Sequence, residues 1–381
     1  MIFTAEHEQL RETVQRFVRD EINPHVDDWE KDGIFPARVL YKKAAELGLL
    51  GINKPEEYGG LGLDYSFQAI FAEEIGRADH MSSPLGLGVH TTMATPALTN
   101  FGSHELKQEF LAPAIAGERV ACIAVSEPSA GSDVAQLKTQ AKQQADDYVI
   151  NGTKMWITNS TQSDFICLLA NTSEGPVHKN KSLIIVPSDT PGISFSKPLE
   201  KLGMHASDTA QIFFDNVKVP VRHRIGDEGK GFFYQMQQFQ EERLWCALSC
   251  LKVFENCIDK TIEYTRDRHI FGAPVLHNQS IHYHLAELQA EVELLRSLCY
   301  DAVEKIMHGE DVTRLATIAK FKLGKLTQTI PNDCLQYWGG MGFMWDNFVA
   351  RVYRDIRAAA IGGGSDETML AVLSKLMGTH P

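Results

Sequence analysis

The period of the apolar residues changes twice along this chain, and that switch constrains the fold more than any single motif. Up to about residue 118 apolar positions recur at helical spacing. From about 120 to 217 they alternate. After Gly226-Asp227-Glu228-Gly229-Lys230-Gly231 helical spacing returns. A chain of 381 residues also exceeds what one hydrophobic core usually serves. The pattern therefore predicts an α+β multidomain protein with an N-terminal helical domain (1–118), a middle β domain (119–225) and a C-terminal helical domain (226–381).

In the first block Leu10, Val14, Phe17, Val18 and Ile22 share one helical face, with Thr4 as N-cap, Glu6 and Glu8 in the first turn and Pro24 at the expected end. Further helices are expected at about 36–48, 65–78, 84–101 and 103–116. Asp27-Asp28 and Glu73-Glu74 read as solvated helix faces. In the middle block, strand-like runs cover 120–126, 148–150, 154–158, 165–170, 182–186 and 211–217. Asn151-Gly152 reads as a hairpin turn, because both residues tolerate positive φ. In the last block Ile281, Leu285, Leu288, Val292, Leu295, Cys299 and Ala302 form one long stripe, and 232–266 and 311–336 are similarly periodic.

Composition narrows the function classes. Lys and Arg number 37 against 49 Asp and Glu, a net charge of −12, which argues against broad nucleic-acid binding. The seven cysteines form no CxxC pair, so neither a disulfide framework nor a zinc knuckle is suggested. No apolar run approaches the roughly 18 residues of a membrane span, and the N-terminus carries neither a secretory nor a transit pattern. The expectation is a cytoplasmic protein in a reducing compartment. His277, His282 and His284 invite a metal reading, but 282 and 284 point about 200° apart on a helix, so no metal site is expected. The tryptophans at 29, 245, 338 and 345 read as packing.

Three segments carry chemistry. Ala124-Val125-Ser126-Glu127-Pro128-Ser129-Ala130-Gly131-Ser132-Asp133 joins a strand to a loop dense in hydroxyls and N–H groups. Met155-Trp156-Ile157-Thr158 sets an aromatic plane beside a hydroxyl. Gln336-Tyr337-Trp338-Gly339-Gly340-Met341-Gly342-Phe343 is a second glycine-rich segment where backbone can approach a ligand. With Arg268-His269-Ile270-Phe271-Gly272 and Arg354-Asp355, and in this order and spacing over essentially the whole length, the chain resembles the acyl-CoA dehydrogenase family of flavoenzymes.

The resemblance implies the family fold, with a β-barrel-like middle domain and a C-terminal four-helix bundle. It implies FAD as cofactor, with residues 123–132 bordering the flavin, among them Ile123, Val125, Ser126, Gly131 and Ser132, and with Trp156, Ile157 and Thr158 on its other side. Arg268, Phe271, Gln279, Gln336, Gly339 and Gly340 would hold pyrophosphate and adenine across a subunit boundary, with Ser365 and Glu367 as further cofactor contacts. Such shared sites imply an oligomer, in this family usually a homotetramer. Ser132, Gln240, Arg243 and Gly364 would contact the acyl-CoA substrate, and an electron-transferring flavoprotein would take the electrons.

The chemistry implied is removal of an α-proton by a carboxylate while the β-hydrogen leaves as hydride, which requires a base and a donor to the developing enolate oxygen. Many members place the base in a Glu-Gly-Thr-Ser segment near the C-terminus. The matching stretch here is Gly363-Gly364-Ser365-Asp366-Glu367, which lacks it. A minority supplies the carboxylate from a central helix directly before an Arg, and Gln240-Glu241-Glu242-Arg243 matches that arrangement, so Glu242 is the expected base. Gly363 retains the N–H that would bind the thioester oxygen. His205 stands where relatives usually carry Arg. The base position and the 363–367 segment look most like the isovaleryl-CoA and citronellyl-CoA side of the family. An oxidase using O2, or a non-catalytic acyl-CoA- or DNA-binding protein, are the competing readings.

Overall fold

The computed structural model describes residues 3–380. Helix α1 (Ala5–Phe17) continues through a π-helical turn (Val18–Ile22) and gives way at Pro24, where the sequence placed its end. A 3₁₀ turn (Asn23–His25) then leads into α2 (Val26–Asp32), which stops at Gly33, φ 75°. Pro24 lies in the first turn of a new helical segment, where its missing N–H has no partner to lose. The helices α3 (Ala37–Glu46), α4 (Tyr65–Ile75), α5 (Ser82–Gly88), α6 (Pro96–Phe101), α7 (His104–Leu106) and α8 (Ala112–Ile115) complete the block.

Every residue of α4 is buried, because it packs against α1 and against two long helices from the end of the chain. The expectation that Glu73 and Glu74 are solvated is therefore wrong: they are 2% and 0% exposed. Their charges are met mostly by residues remote in sequence, with Arg77, three positions from Glu74, the exception. Arg11, Gln15 and Arg77 surround Glu74, while Arg296, Lys252 and the Tyr300 hydroxyl surround Glu73. A local window cannot display such partners.

The middle block forms one sheet of β1 (Ala121–Ala124), β2 (Gln140–Gln144), β3 (Asp147–Ile157), β4 (Phe165–Asn171), β5 (Lys181–Pro187), β6 (Ile193–Phe195), β7 (Ala210–Pro220) and β8 (Arg224–Ile225). The order is β6-β7-β3-β2-β4-β5-β8, with β1 parallel to β4. Asn151-Gly152 is not a hairpin. β3 passes straight through it, and the register against β7 shifts there, between Ile150 and Gly152. Asn151 bonds Asn216 across the bulge, its Oδ1 accepting the Asn216 N–H at 2.9 Å. The turn lies instead at Ala145-Asp146, joining β2 to β3, with Ala145 at φ 54°. Bulge and turn both favour residues that tolerate unusual φ, so composition alone did not separate them.

The last block holds α9 (Gly231–Asp267), a two-strand ribbon of β9 (His269–Ile270) and β10 (Ala273–Pro274), α10 (Gln279–Met307), α11 (Thr313–Trp338), α12 (Phe348–Asp355) and α13 (Asp366–Leu376). The α10 stripe is buried from Leu285 to Ala302, with Ile281 half-buried at its start.

The three blocks meet at two carboxylates. Asp355, at the end of α12, accepts the Met204 N–H at 2.6 Å and the Met81 N–H at 3.0 Å. Glu30 of α2 accepts from Ser82 Oγ at 2.7 Å and from the His205 and Ala206 N–H groups at 3.2 and 3.3 Å, and meets His80 Nδ1 at 2.9 Å. Gly203 lets the 201–209 loop touch α12, since a Cβ there would overlap the Arg354 backbone.

Asp355→Ala strands two buried N–H groups, so a loss of about 2–5 kcal/mol is expected in denaturant unfolding. Burial opposes ionisation of Glu30, but its hydrogen bonds and His80 outweigh this and bring its pKa down from 4.5 to about 2. Its contribution to stability is thus present above pH 4.5 and is lost as pH falls toward 2. Glu30→Gln should flatten the stability profile over that window.

Candidate active site

Helix α9 carries Glu242 toward α11 and the turn before α13. The carboxylate is half-buried at the residue level and enclosed by protein. Burial raises its pKa from 4.5 to about 7, tempered by the charges of Arg243 and Lys320. Gly363 lies on the turn before α13 with φ +64°, and a Cβ there would sit 3.1 Å from Glu242 Oε1, 3.5 Å from Lys320 Cε and 3.9 Å from Cys246 Sγ. Positions 242 and 363, far apart in sequence, therefore converge on one point.

Lys320 of α11 is fully buried. Its ammonium donates to the Ala359 carbonyl and, at 2.9 Å, to the Gly364 carbonyl. Ser365 caps α13 by accepting the Thr368 N–H at 3.2 Å, and Glu367 is exposed in its first turn. Gln240 donates to Thr313 Oγ1 at 2.7 Å. Arg243 reaches Thr317 Oγ1 at 3.5 Å and leaves its buried Nε without a partner.

The 123–132 segment begins on β1 with Ile123 half-buried and Val125 buried, and ends with Gly131 and Ser132 exposed. One buried ion pair fixes it. Glu127 accepts the Lys138 and Thr139 N–H groups at 2.7 and 2.9 Å, and the fully buried Lys154 of β3 donates to Glu127 at 3.0 Å and to the Val125 carbonyl at 2.9 Å. The Met155 N–H donates to the Ser126 carbonyl at 2.9 Å, which brings the loop beside Trp156. Trp156 is 55% exposed and held at φ 61°, an uncommon conformation for a bulky residue. Ile157 behind it is buried and Thr158 half-buried. Asp208 secures the following turn by accepting the Thr161 and Gln162 N–H groups at 2.9 and 3.1 Å.

A second cluster gathers at the far end of α9. Arg268 Nη1 donates to the Trp338 carbonyl at 3.2 Å, Trp338 stacks on Tyr264 at 4.1 Å, and Gly339, at φ 58°, leaves room for Arg268, since a Cβ there would lie 2.6 Å from Arg268 Nη1. Gln336, Gly340 and Gln279 are exposed, and Phe271 projects fully exposed from the β9–β10 ribbon. At 1.5 Å per residue this cluster stands about 40 Å along α9 from Glu242.

Among the described residues no group of three or more His, Cys, Asp or Glu could hold a metal. His284 bridges Asp333 at 2.8 Å and Glu287 at 3.1 Å, and His282 meets the Leu276 carbonyl at 2.9 Å. No helix among these residues is long and apolar enough to cross a membrane. His205 leaves Nε2 buried and unpartnered, its ring 5.5 Å from Trp345. Trp345 is 64% exposed with the Arg354 guanidinium stacked on it at 3.9 Å, so the packing expectation fails there. Sequence reasoning missed Lys320, Lys154, Glu127 and Asp208. Lys320 did leave a signal, since it occupies a core position among Ala316, Ala319 and Leu323 of α11.

Two helical domains clasping a sheet domain, with an enclosed carboxylate and exposed glycine-rich loops, define a multidomain oxidoreductase scaffold. The chain belongs to the acyl-CoA dehydrogenase family: residues 4–118, 122–217 and 229–378 match the N-terminal, middle and C-terminal domains of acyl-CoA dehydrogenase. It is 35% identical over 381 residues to the mitochondrial long-chain specific acyl-CoA dehydrogenase of Rattus norvegicus, covering 98% of this chain and 87% of the rat protein. It is 34% identical to the 3-(aryl)acrylate reductase of Clostridium sporogenes, covering 98% and 99%. An acyl-CoA dehydrogenase structure from Geobacillus kaustophilus superposes with TM-score 0.95 at 35% identity, covering 98% of each chain. Members are FAD flavoproteins, and dehydrogenation of the acyl-CoA dehydrogenase type is this chain's chemistry.

Lys154→Met leaves Glu127 buried and unpaired, so a loss of about 3–5 kcal/mol is expected in chemical unfolding. The double variant Glu127→Gln, Lys154→Met should lose less than Lys154→Met alone, and a double-mutant cycle measures the difference.

Proposed function

We propose that this enzyme removes the α-proton of an acyl-CoA thioester with Glu242 as base, yielding the 2-enoyl-CoA. The observation that carries the reading is the convergence of position 363 on the Glu242 carboxylate. A glutamate on the C-terminal turn would start from the point that Glu242 reaches from α9, so either residue can serve one substrate carbon. Burial lifts Glu242 to about 7, which gives it basicity near neutral pH. The Gly363 N–H is the donor for the thioester oxygen, where negative charge grows as the proton leaves. Arg243, Gln240, Gly364 and Ser132 are substrate contacts.

The residues present fit FAD. Trp156 offers an exposed plane in a held, unusual conformation beside the 126–132 loop, and a Cβ at Gly131 would meet nothing within 4 Å, which leaves that backbone approachable. Ile123, Val125, Ser126, Ile157 and Thr158 belong to this part, with Ser365 and Glu367 at the start of α13. When bound, FAD supplies the acceptor for the β-hydride. Arg268, Phe271, Gln279, Gln336, Gly339 and Gly340 are proposed to complete the cofactor site of a neighbouring chain. Their distance along α9 from Glu242 and the full exposure of Phe271 support that, and hence a homotetramer. The substrate is proposed to be branched or of medium to long chain, such as citronellyl-CoA, on the strength of the base position and the 363–367 segment, and the electron acceptor an electron-transferring flavoprotein.

Glu242→Gln should keep FAD and acyl-CoA binding while slowing flavin reduction by a factor of roughly 10²–10⁴ in anaerobic stopped flow. Near-normal reduction would identify another carboxylate as base. In the wild type the rate should fall as pH drops through about 7, where Glu242 takes up a proton. Because a side chain at 363 overlaps the one at 242, partial rescue by Gly363→Glu is expected in a Glu242→Ala background rather than with Gln at 242. Sedimentation should give four times the chain mass. A monomer retaining full FAD occupancy would overturn the shared site.

A further inference from the structure

Lys320 is the unexplained charge near Glu242. Lysine is almost never fully buried without a reason, and this one lies inside the helical core at 0% exposure. It makes no ion pair at contact distance. Its ammonium is spent on two carbonyls instead, Ala359 before the Gly362-Gly363-Gly364 turn and Gly364 at 2.9 Å within it. Between those anchors the chain bends through Gly363 at φ +64° and Gly364 at φ +98°. Three successive glycines leave that bend few side chains of its own to hold it, so the clamp must come from outside. Lys320 Cε and Glu242 Oε1 also flank the same point, 3.5 and 3.1 Å from where a side chain at 363 would begin.

We propose that Lys320 is a positioning residue: its two hydrogen bonds fix the turn that aims the Gly363 N–H, and its charge stands beside the Glu242 carboxylate so that the base is ionised when substrate arrives. The two roles are joined by geometry, because one ammonium stands both under the turn and next to the base. The charged or titratable groups facing Glu242 are Arg243 and Cys246 on its own helix and Lys320 on α11; Asp366 faces Lys320 from α13. Burial makes an ionised lysine costly there, and the carboxylates of Asp366 and Glu242 offset that cost. Arg243 is the nearer influence on Glu242 along its own helix and uses Nη1 on Thr317, while Lys320 is the cation supplied by tertiary packing from α11.

The inference rests on Glu242 being the base, and its test separates the two ideas. The ionisation of Glu242 is followed in the purified holoenzyme by infrared titration of the carboxylic-acid band that disappears in Glu242→Gln. Lys320→Met should move the midpoint upward by about one pH unit or more and weaken binding of a non-reactive acyl-CoA ether analogue less than it slows flavin reduction. Lys320→Arg, which keeps the charge, should return the midpoint toward the wild-type value. Lys320→Gln, which can still bond the two carbonyls, should retain the fold yet show the raised midpoint. It serves where the Met variant does not fold. A wild-type midpoint in folded, FAD-loaded Lys320→Gln or Lys320→Met would overturn the proposal. A titratable band that survives in Glu242→Gln together with unchanged flavin reduction would instead overturn the assignment of the base.

Discussion

Asp355 and Glu30 tie all three blocks of this chain together at one place. Each is a carboxylate placed where helices and loops of different blocks converge, and each accepts backbone N–H groups that would otherwise be buried without partners. The two achieve this in opposite electrostatic circumstances. Hydrogen bonds and His80 overcome burial at Glu30, whereas at Asp355 burial and the neighbouring Glu30 charge raise the pKa despite two N–H donors. Removing either would free the 201–209 loop from its hydrogen bonds to α12 or to α2.

The same rule, that an enclosed charge must be paired or shift its ionisation, explains the rest of the polar interior. Glu73 and Glu74 are paired. Glu127 and Lys154 are paired, and because both ends also bind backbone, the pair shapes the loop leading to Ser132. Glu242 is the departure. It has two cations in its surroundings, but burial still dominates and its proton affinity rises toward neutrality. A structural carboxylate gains nothing from such a position, whereas a base for a weak carbon acid does.

Helix α9 converts these local arrangements into a spatial plan. Thirty-seven residues of continuous helix hold Glu242 beside Lys320 and the Gly363 turn and deliver Arg268 to the opposite end, where it meets Trp338 and Gly339 at the end of α11. A rigid rod of about 55 Å fixes both sites relative to each other.

The order helical, sheet, helical was legible in the sequence, because burial on one face of a helix or strand imposes a period of 3.6 or 2 that local composition displays directly. The α10 stripe was legible for the same reason, whereas Glu242 as candidate base came from the resemblance to the family, since Glu241-Glu242-Arg243 by itself reads as a solvated helix face. What the sequence withheld were pairings across long separations. The solvation of Glu73 and Glu74 was misread because Arg296, Lys252 and Tyr300 lie more than 170 residues from Glu73, and Arg11 and Gln15 lie 63 and 59 residues from Glu74. Asn151-Gly152 was misread because a bulge and a turn ask for the same backbone freedom, and only the partner strand β7 distinguishes them. The convergence of Gly363 on Glu242, and the clamp by Lys320, were decided by tertiary structure alone: distances between remote residues follow from how helices pack, and no local pattern encodes them.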